Sequence, residues 1–328
     1  MIKVEDAIGE VLLHDITKVD PEQGFKGRIF KKGHIVKQED IQTLKKVGKD
    51  HIYVFEIGDD KIHENDAAKI LSNAVSGENT YISKEPKEGK ITIFSNIFGV
   101  CKIDVKKLFR FNSVGEPSMP TIYNNSIVKK GDKVAAVRII SLLSPKKDVE
   151  DAVKIAGEGI IKIVPFTHKK AGLIITGNEV YHGRIKDKFY DKLKPKLAEF
   201  SCNIEEKIIL PDDKIQIKDK IIEFAEKFDL VVLTGGTSVD PDDVTYKAIF
   251  DAGVDNFIRG NPIQPGNMLT IGWIKDTPVT AVPAAALFYK KTAFDIWIGR
   301  FLIGDKISKE EVLKRAHGGL LESIKDIR

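Results

Sequence analysis

Leu233-Thr234-Gly235-Gly236-Thr237-Ser238-Val239-Asp240-Pro241-Asp242-Asp243-Val244-Thr245 runs from an apolar stretch through paired glycines into a cluster of carboxylates. Glycine lets the backbone take positive φ and approach a ligand closely, and N–H groups at a strand end or a helix start favour an anion. Asp240, Asp242 and Asp243 would repel that anion. A divalent cation bridging carboxylate and phosphate reconciles the two signs, so phosphate with Mg2+ is the chemistry this segment suits. The same residues also read as an ordinary turn and helix cap. A second segment of similar design, Leu173-Ile174-Ile175-Thr176-Gly177-Asn178-Glu179, ends another apolar strand in Thr-Gly and a carboxylate. Two such strand ends can converge on one crevice.

The elements that must position these residues are legible in the pattern. Strands at 173–176, 204–210 and 229–234 alternate with helical segments at 187–200, 213–227 and 244–252. Strands at 268–274 and 278–282 and a long helix at 284–303 complete the expectation. Strands alternating with helices predict a mostly parallel sheet covered on both faces, a three-layer α/β domain over 168–305. Ahead of it lie a small α/β or β-rich module at 1–58, with a helix from Glu39 to Val47, and a β-rich domain at 59–167. The latter has a helix from Asn65, the expected N-cap, to Gly77, and strands at 91–94, 99–103 and 134–140. A helix at 149–156 and a break at 165–170 close it. Residues 306–328 form a helical tail, in which Ser308-Lys309-Glu310-Glu311 is a capping box and Ser308 to Gly319 reads as one short helix.

The chain has 328 residues, 42% hydrophobic and 30% charged, enough for two or three domains with a sizeable core. A net charge of +4 with interspersed signs gives no argument for nucleic acid or a membrane surface. Cys101 and Cys202 are too few for a disulfide framework or a cysteine-ligated zinc site, and no apolar stretch has spanning length. A cytoplasmic protein is expected. Kinase, dehydrogenase and zinc-protease readings lack their motifs.

The segment 171–303 resembles the molybdopterin-binding domain shared by molybdopterin adenylyltransferases, molybdenum insertases and CinA-type proteins. Thr176-Gly177-Asn178-Glu179, Gly183-Arg184-Ile185-Lys186-Asp187, Asp212-Asp213, Gly235-Gly236-Thr237-Ser238 and Pro241-Asp242-Asp243-Val244-Thr245 match its motifs in order. The resemblance implies molybdopterin or molybdenum cofactor as ligand, with Mg2+ on the acids. It makes Thr176, Gly177, Asn178, Glu179, Asp187, Gly235, Gly236, Thr237 and Ser238 cofactor-binding candidates, together with Pro265, Gly266, Asn267, Pro283 and Ala284. Asp243 and Asp212 become the catalytic candidates, and Asp243, Asp242 and Asp240 the metal candidates. Asp212 also suits a helix cap, and Glu179 a solvated loop acid.

Two departures bear on chemistry. Where insertases carry P-G-K-P this chain has Pro265-Gly266-Asn267-Met268, and where they carry L-P-G-N-P it has Val282-Pro283-Ala284-Ala285-Ala286. The first removes a lysine; the second adds a Cβ that penalises positive φ, or else simply starts a helix.

His14-Asp15-Ile16-Thr17 and His317-Gly318-Gly319 resemble the branch associated with molybdenum hydroxylase maturation. His14-Asp15 is either a general base with its orienting acid or a satisfied turn. His317-Gly318 suits the last turn and cap of a helix. Lys26 to His34 is either a phosphate loop or a strand with one solvated face.

Three classes of function remain. A carrier of molybdopterin or molybdenum cofactor leads, with a molybdenum hydroxylase as client. A Mg2+-dependent adenylyltransferase or insertase is second, and a CinA-like pyrophosphatase acting on a dinucleotide third. A homodimer follows by analogy with insertases.

Overall fold

The computed structural model describes residues 1–22, 24–54, 60–236 and 244–321. Contacts divide the chain into two compact units: 1–96 with 102–124 and 130–163, and 97–101 with 125–129 and 164–328.

The second unit is the expected three-layer α/β domain. Its strands are β1 (Lys170–Thr176), β2 (Asn203–Leu210), β3 (Leu230–Thr234), β4 (Asp255–Arg259), β5 (Thr270–Ile274) and β6 (Thr277–Val282). Its helices are α1 (Asn178–Tyr181), α2 (Phe189–Ala198), α3 (Lys214–Lys227), α4 (Thr245–Asp251), α5 (Ala285–Phe288), α6 (Ala293–Leu302) and α7 (Lys309–Lys314). The sheet order is β2-β1-β3-β6-β5-β4. Strands β2, β1, β3 and β6 run parallel, whereas β5 is antiparallel to both β6 and β4.

Side-chain alternation explains the layers. Leu173, Ile175 and Val232 pack with Leu193, Leu197, Trp297 and Phe301 on one face, while Ile174, Val231 and Leu233 pack with Ile217, Ile221, Phe224 and Ile249 on the other. Strands buried on both faces are continuously apolar, which is why they were visible in sequence. Gly172 lets α3 close on the sheet, because a Cβ there would lie 2.4 Å from Phe224 Cδ2.

Three expectations are corrected. The helix expected over 284–303 is two helices, because Thr292 and Asp295 form a reciprocal capping box that starts α6 afresh. Lys196 of α2 holds the intervening turn through the Lys290 carbonyl at 2.8 Å and the Asp295 carboxylate. The terminal helix has its Ser308–Glu311 capping box but ends at Lys314, not at Gly319. Strand β4 was not expected, since Asp255-Asn256-Phe257-Ile258-Arg259 is a mostly polar edge strand with a bulged register. Ile307 and Val312 are buried in the same cluster as α6. Arg300, almost fully buried, fixes this tail by donating to Asp305 at 2.7 Å and Glu311 at 2.7 Å.

The first unit is β-rich. A hairpin pairs Ile16–Asp20 with Phe25–Phe30, and helix Asp40–Lys46 packs Leu44 beside Val4, Leu12, Ile16 and Val36. Helix Glu64–Val75 buries Ala67, Ala68, Leu71 and Val75, the spacing of one helical face. Its cap is not Asn65 but His63, whose Nδ1 accepts from the Asn65 N–H at 3.1 Å. Lys26 to Phe30 lies in the hairpin strand, so the solvated-strand reading of that basic segment holds. Asp15 accepts from Arg28 Nη1 and the Lys32 N–H, each at 2.8 Å, and orients no base on His14.

His63 is buried with Nε2 at 2.7 Å from the Leu13 carbonyl, so Nε2–H donates and Nδ1 must accept. Only the neutral ring fits, and burial lowers its pKa from the ordinary value. His14 is likewise lowered, first by burial. A group that binds its proton less readily when folded costs stability as pH falls below its unfolded value, about 6.5. The melting temperature of the wild type is therefore expected to fall between pH 7.5 and 5.5, with a shallower slope in His63→Gln. Equal slopes in the two proteins would contradict this assignment.

Candidate functional site

Four parallel strand ends finish in register at one edge of the sheet. Thr176 pairs with Leu210, Ile175 with Thr234, and Thr234 with Val282. The chain leaves β1 to one side for β2 and returns to its other side for β3, so the topological switch lies between β1 and β3. Adjacent connections there go to opposite faces and open a crevice, the usual ligand position in such sheets. The expected crevice thus sits where Thr176 and Gly235 meet.

That meeting is unusually close. Gly235 has φ +88°, and a Cβ on it would lie 2.1 Å from the Thr176 carbonyl oxygen. Gly236 has φ +53°, and its Cβ would lie 2.5 Å from Thr245 Oγ1. Both positions require glycine by conformation and by space. Thr176 is buried, and its hydroxyl donates to the Thr234 carbonyl at 3.2 Å while lying 2.8 Å from Thr245 Oγ1. One hydroxyl therefore ties β1, β3 and the first turn of α4. Thr234 Oγ1 is buried and makes no hydrogen bond among the described residues. Such an orphan at a strand end suits a bound polar group or water.

Beside it, Asn178 and Asp212 form a reciprocal clasp between the ends of β1 and β2. The Asn178 N–H donates to Asp212 Oδ2 at 2.9 Å, and the Asp212 N–H donates to Asn178 Oδ1 at 3.2 Å. The cap of α3 is Asp213, which accepts from the Ile215 and Gln216 N–H groups, and these bonds hold its carboxyl below the usual range. The capping alternative considered for Asp212 is thereby corrected. Gly177 has φ +138° and begins α1, on which Glu179 is exposed. Asp187 accepts from the Phe189 and Tyr190 N–H groups and starts α2.

The loop before β5 reaches the same edge. Gly266 has φ +102°, and its Cβ would meet the Ala293 nitrogen at 3.0 Å, while the Pro265 carbonyl accepts the Ala293 N–H at 2.9 Å. Asn261 holds this turn through the Gly266 and Asn267 carbonyls. The terminal glycine motif closes on its other side. Gln264 N–H donates to the Gly319 carbonyl at 2.8 Å, and a Cβ on Gly319 would lie 2.2 Å from the Pro262 carbonyl oxygen. His317-Gly318-Gly319 is therefore a docking segment for the 262–267 loop, a role no local pattern announced. Ala284 has φ −54° and ψ −22°, ordinary helical values that carry no strain. The alanine after Pro283 thus starts α5, and the positive-φ concern does not arise.

Thr237, Ser238, Asp240, Asp242 and Asp243 lie outside the described residues. Among the described residues no group of three or more His, Cys, Asp or Glu side chains could hold a metal ion, and no helix is long and apolar enough to cross a membrane.

Residues 172–298, which contain this sheet and its crevice, match the family model described as "Probable molybdopterin binding domain". This segment belongs to that domain family. Residues 1–56 match a domain of unknown function. A molybdopterin molybdenumtransferase of Haemophilus influenzae is 27% identical over 148 residues, covering 42% of this chain and 36% of its own length. A Methanocaldococcus jannaschii protein named for molybdopterin biosynthesis is 34% identical over 101 residues, 30% of this chain and 24% of that one. The chain thus spans about a third or less of these curated relatives. A solved molybdopterin biosynthesis protein of Pyrococcus horikosii shares 15% identity over 78% of this chain and 81% of its own, with a TM-score of 0.35. A CinA protein of Thermoplasma acidophilum shares 18% over 36% and 90%, at 0.34.

Gly235→Ala is expected to lower the melting temperature by several degrees, since overpacking against backbone costs about 1–3 kcal/mol and positive φ adds to it. Thr176→Val, which strands two oxygen partners, is expected to cost about 1–3 kcal/mol in chemical denaturation, with Thr176→Ser largely neutral. Unchanged melting in Gly235→Ala would contradict the close approach.

Proposed function

We propose that this protein binds molybdopterin or the molybdenum cofactor in the crevice between β1 and β3, serving cofactor biosynthesis or delivery. The observation that carries the reading is the glycine approach at Gly235 and Gly236 beside Thr176, at the switch point of a domain in the molybdopterin-binding family. A phosphate fits where backbone N–H groups converge and side chains are excluded. Thr234 Oγ1 supplies a buried polar group without a described partner, and Asp212, held by Asn178, presents a carboxylate on a fixed backbone.

Asp243, with Asp242 and Asp240, would hold Mg2+ against that phosphate and neutralise its charge. The residues described here would bind and orient: Gly177 and Asn178 at the end of β1, Gly235 and Gly236 at the end of β3, and Pro265 to Asn267 with Pro283 and Ala284 along the same edge. Asn267 stands where the resemblance expects a lysine, which removes a cation from the anion loop. Retained binding geometry with a weakened anion loop favours holding over turnover. The protein would act in the cytoplasm as a homodimer, with a molybdenum hydroxylase as client.

Calorimetric titration of molybdopterin and adenylated molybdopterin into wild type and Asp243→Ala, with and without Mg2+, tests the reading. The expected result is saturable binding in wild type without nucleotide turnover, weakened in the variant when Mg2+ is present. Mg2+-dependent release or formation of AMP, lost in Asp243→Ala, would instead establish an adenylyltransferase or insertase. Dinucleotide hydrolysis without molybdopterin would establish a pyrophosphatase. Absence of binding would remove the molybdopterin assignment.

A further inference from the structure

The chain leaves β6 at the crevice edge, passes through α5 and turns into α6. The end of α5 and that turn carry two exposed aromatic rings followed by two exposed cations: Phe288, 79% exposed, Tyr289, 44% exposed, and then Lys290 and Lys291. The backbone beneath them is held at several points. The Tyr289 N–H donates to the Ala285 carbonyl at 3.0 Å, the Lys196 ammonium donates to the Lys290 carbonyl at 2.8 Å, and the Thr292–Asp295 capping box closes the turn. Thr292 and Ala293 in turn pack on Gly266, so the segment borders the 262–267 loop.

Folding explains neither the rings nor the lysines. Two adjacent aromatic side chains left in water contribute nothing to the core, whose nearest member here is the buried Ala286. Lys290 and Lys291 stand directly ahead of Thr292, the N-cap of α6, where the partial positive charge of a helix start favours acids over lysines. Among the described residues neither lysine makes an ion pair, and nor does Lys192, one turn before Lys196 on α2. Asp295, in the first turn of α6, is taken up by Lys196 and Thr292. Aromatic rings on an ordered backbone are the composition of protein-interface anchors, and cations beside them complement an acidic segment that carries an apolar side chain.

We infer that Phe288 to Lys291 is a docking site for an acidic segment of a partner protein, with an apolar side chain of that segment on Phe288 and Tyr289 and its carboxylates on Lys290, Lys291 and Lys192. Because β6 ends beside β3, a partner docked here stands at the crevice edge, the position required of a protein that receives the crevice's ligand. That role rests on the proposed function, whereas the docking itself does not.

The test uses a fluorescein-labelled peptide, Glu-Asp-Phe-Leu-Asp-Glu, titrated with the full chain in the absence of molybdopterin and followed by anisotropy. The expected result is saturable binding that weakens as salt rises from about 50 mM to about 300 mM. Affinity should fall about tenfold or more in Phe288→Ala and in Lys291→Glu, and in wild type when Asn and Gln replace the peptide's acids. Both positions are exposed, and thermal melts show whether each variant keeps the fold; the neutral peptide tests the inference on wild type alone. Equal affinity in wild type and folded variants, equal affinity for the neutral peptide, or no saturable binding would overturn the inference. Displacement of the peptide by AMP at lower concentration than by unlabelled peptide would overturn it and assign the site to a nucleotide. Conversion of a dimer to a monomer by Phe288→Ala, read by sedimentation, would overturn it and give this face to a second copy of the chain.

Discussion

The fold of the α/β unit turns on one contact, the approach of Gly235 to the carbonyl of Thr176, where no Cβ has room. It forces the chain after β3 to cross the end of β1 and lets the Thr176 hydroxyl reach both the Thr234 carbonyl and Thr245. Three elements are then fixed by one buried side chain. The crevice is therefore a consequence of packing, not an addition to it, and under the proposed function its glycines would serve structure and ligand together. A backbone so constrained presents its N–H groups without further ordering, which is how preorganised anion sites gain affinity.

Around that contact the edge of the sheet is assembled from clasps that reach across sequence. Asn178 and Asp212 join β1 to β2, Pro265 and Gly266 pack on the start of α6, and Gly319 closes on Pro262. Arg300 anchors the tail that carries Gly319, so a buried cation helps hold one wall of the 262–267 loop. Loops fixed from several sides keep their geometry without a ligand. The N-terminal unit uses a different device, a neutral histidine that caps a helix and ties it to Leu13.

What could be read from the sequence followed physical period. Strands buried on both faces are continuous apolar runs, and β1, β3, β5 and β6 were visible for that reason, as were the helices that cover them, whereas edge strand β2 showed itself by its place in the strand and helix alternation and its apolar end Ile208-Ile209-Leu210. Thr-Gly and Gly-Gly at strand ends mark in the sequence the place where Thr176 and Gly235 meet. The reading failed where structure depends on partners distant in sequence. Edge strand β4 has no two-sided burial and so no apolar signature. Asp212 and Asp213 are adjacent and alike, and only the position of Asn178 decides which one caps. His63 caps a helix from a residue type seldom considered for that task, and Gly319 is explained by the carbonyl oxygens of Pro262 and Arg315, which a Cβ would meet at 2.2 and 2.7 Å. One miss was local: Thr292 and Asp295 spell a capping box, outweighed by the helical run of alanines before them.

The central claim is that ligand phosphate meets the backbone at the ends of β1 and β3. Amide chemical shifts of the 15N-labelled protein, followed while molybdopterin is added, test it most directly. The largest shifts are expected at Gly177, Asn178, Gly235 and Gly236, with the N-terminal unit unchanged. Saturable shifts confined elsewhere in the chain, with those four amides unmoved, would contradict the account.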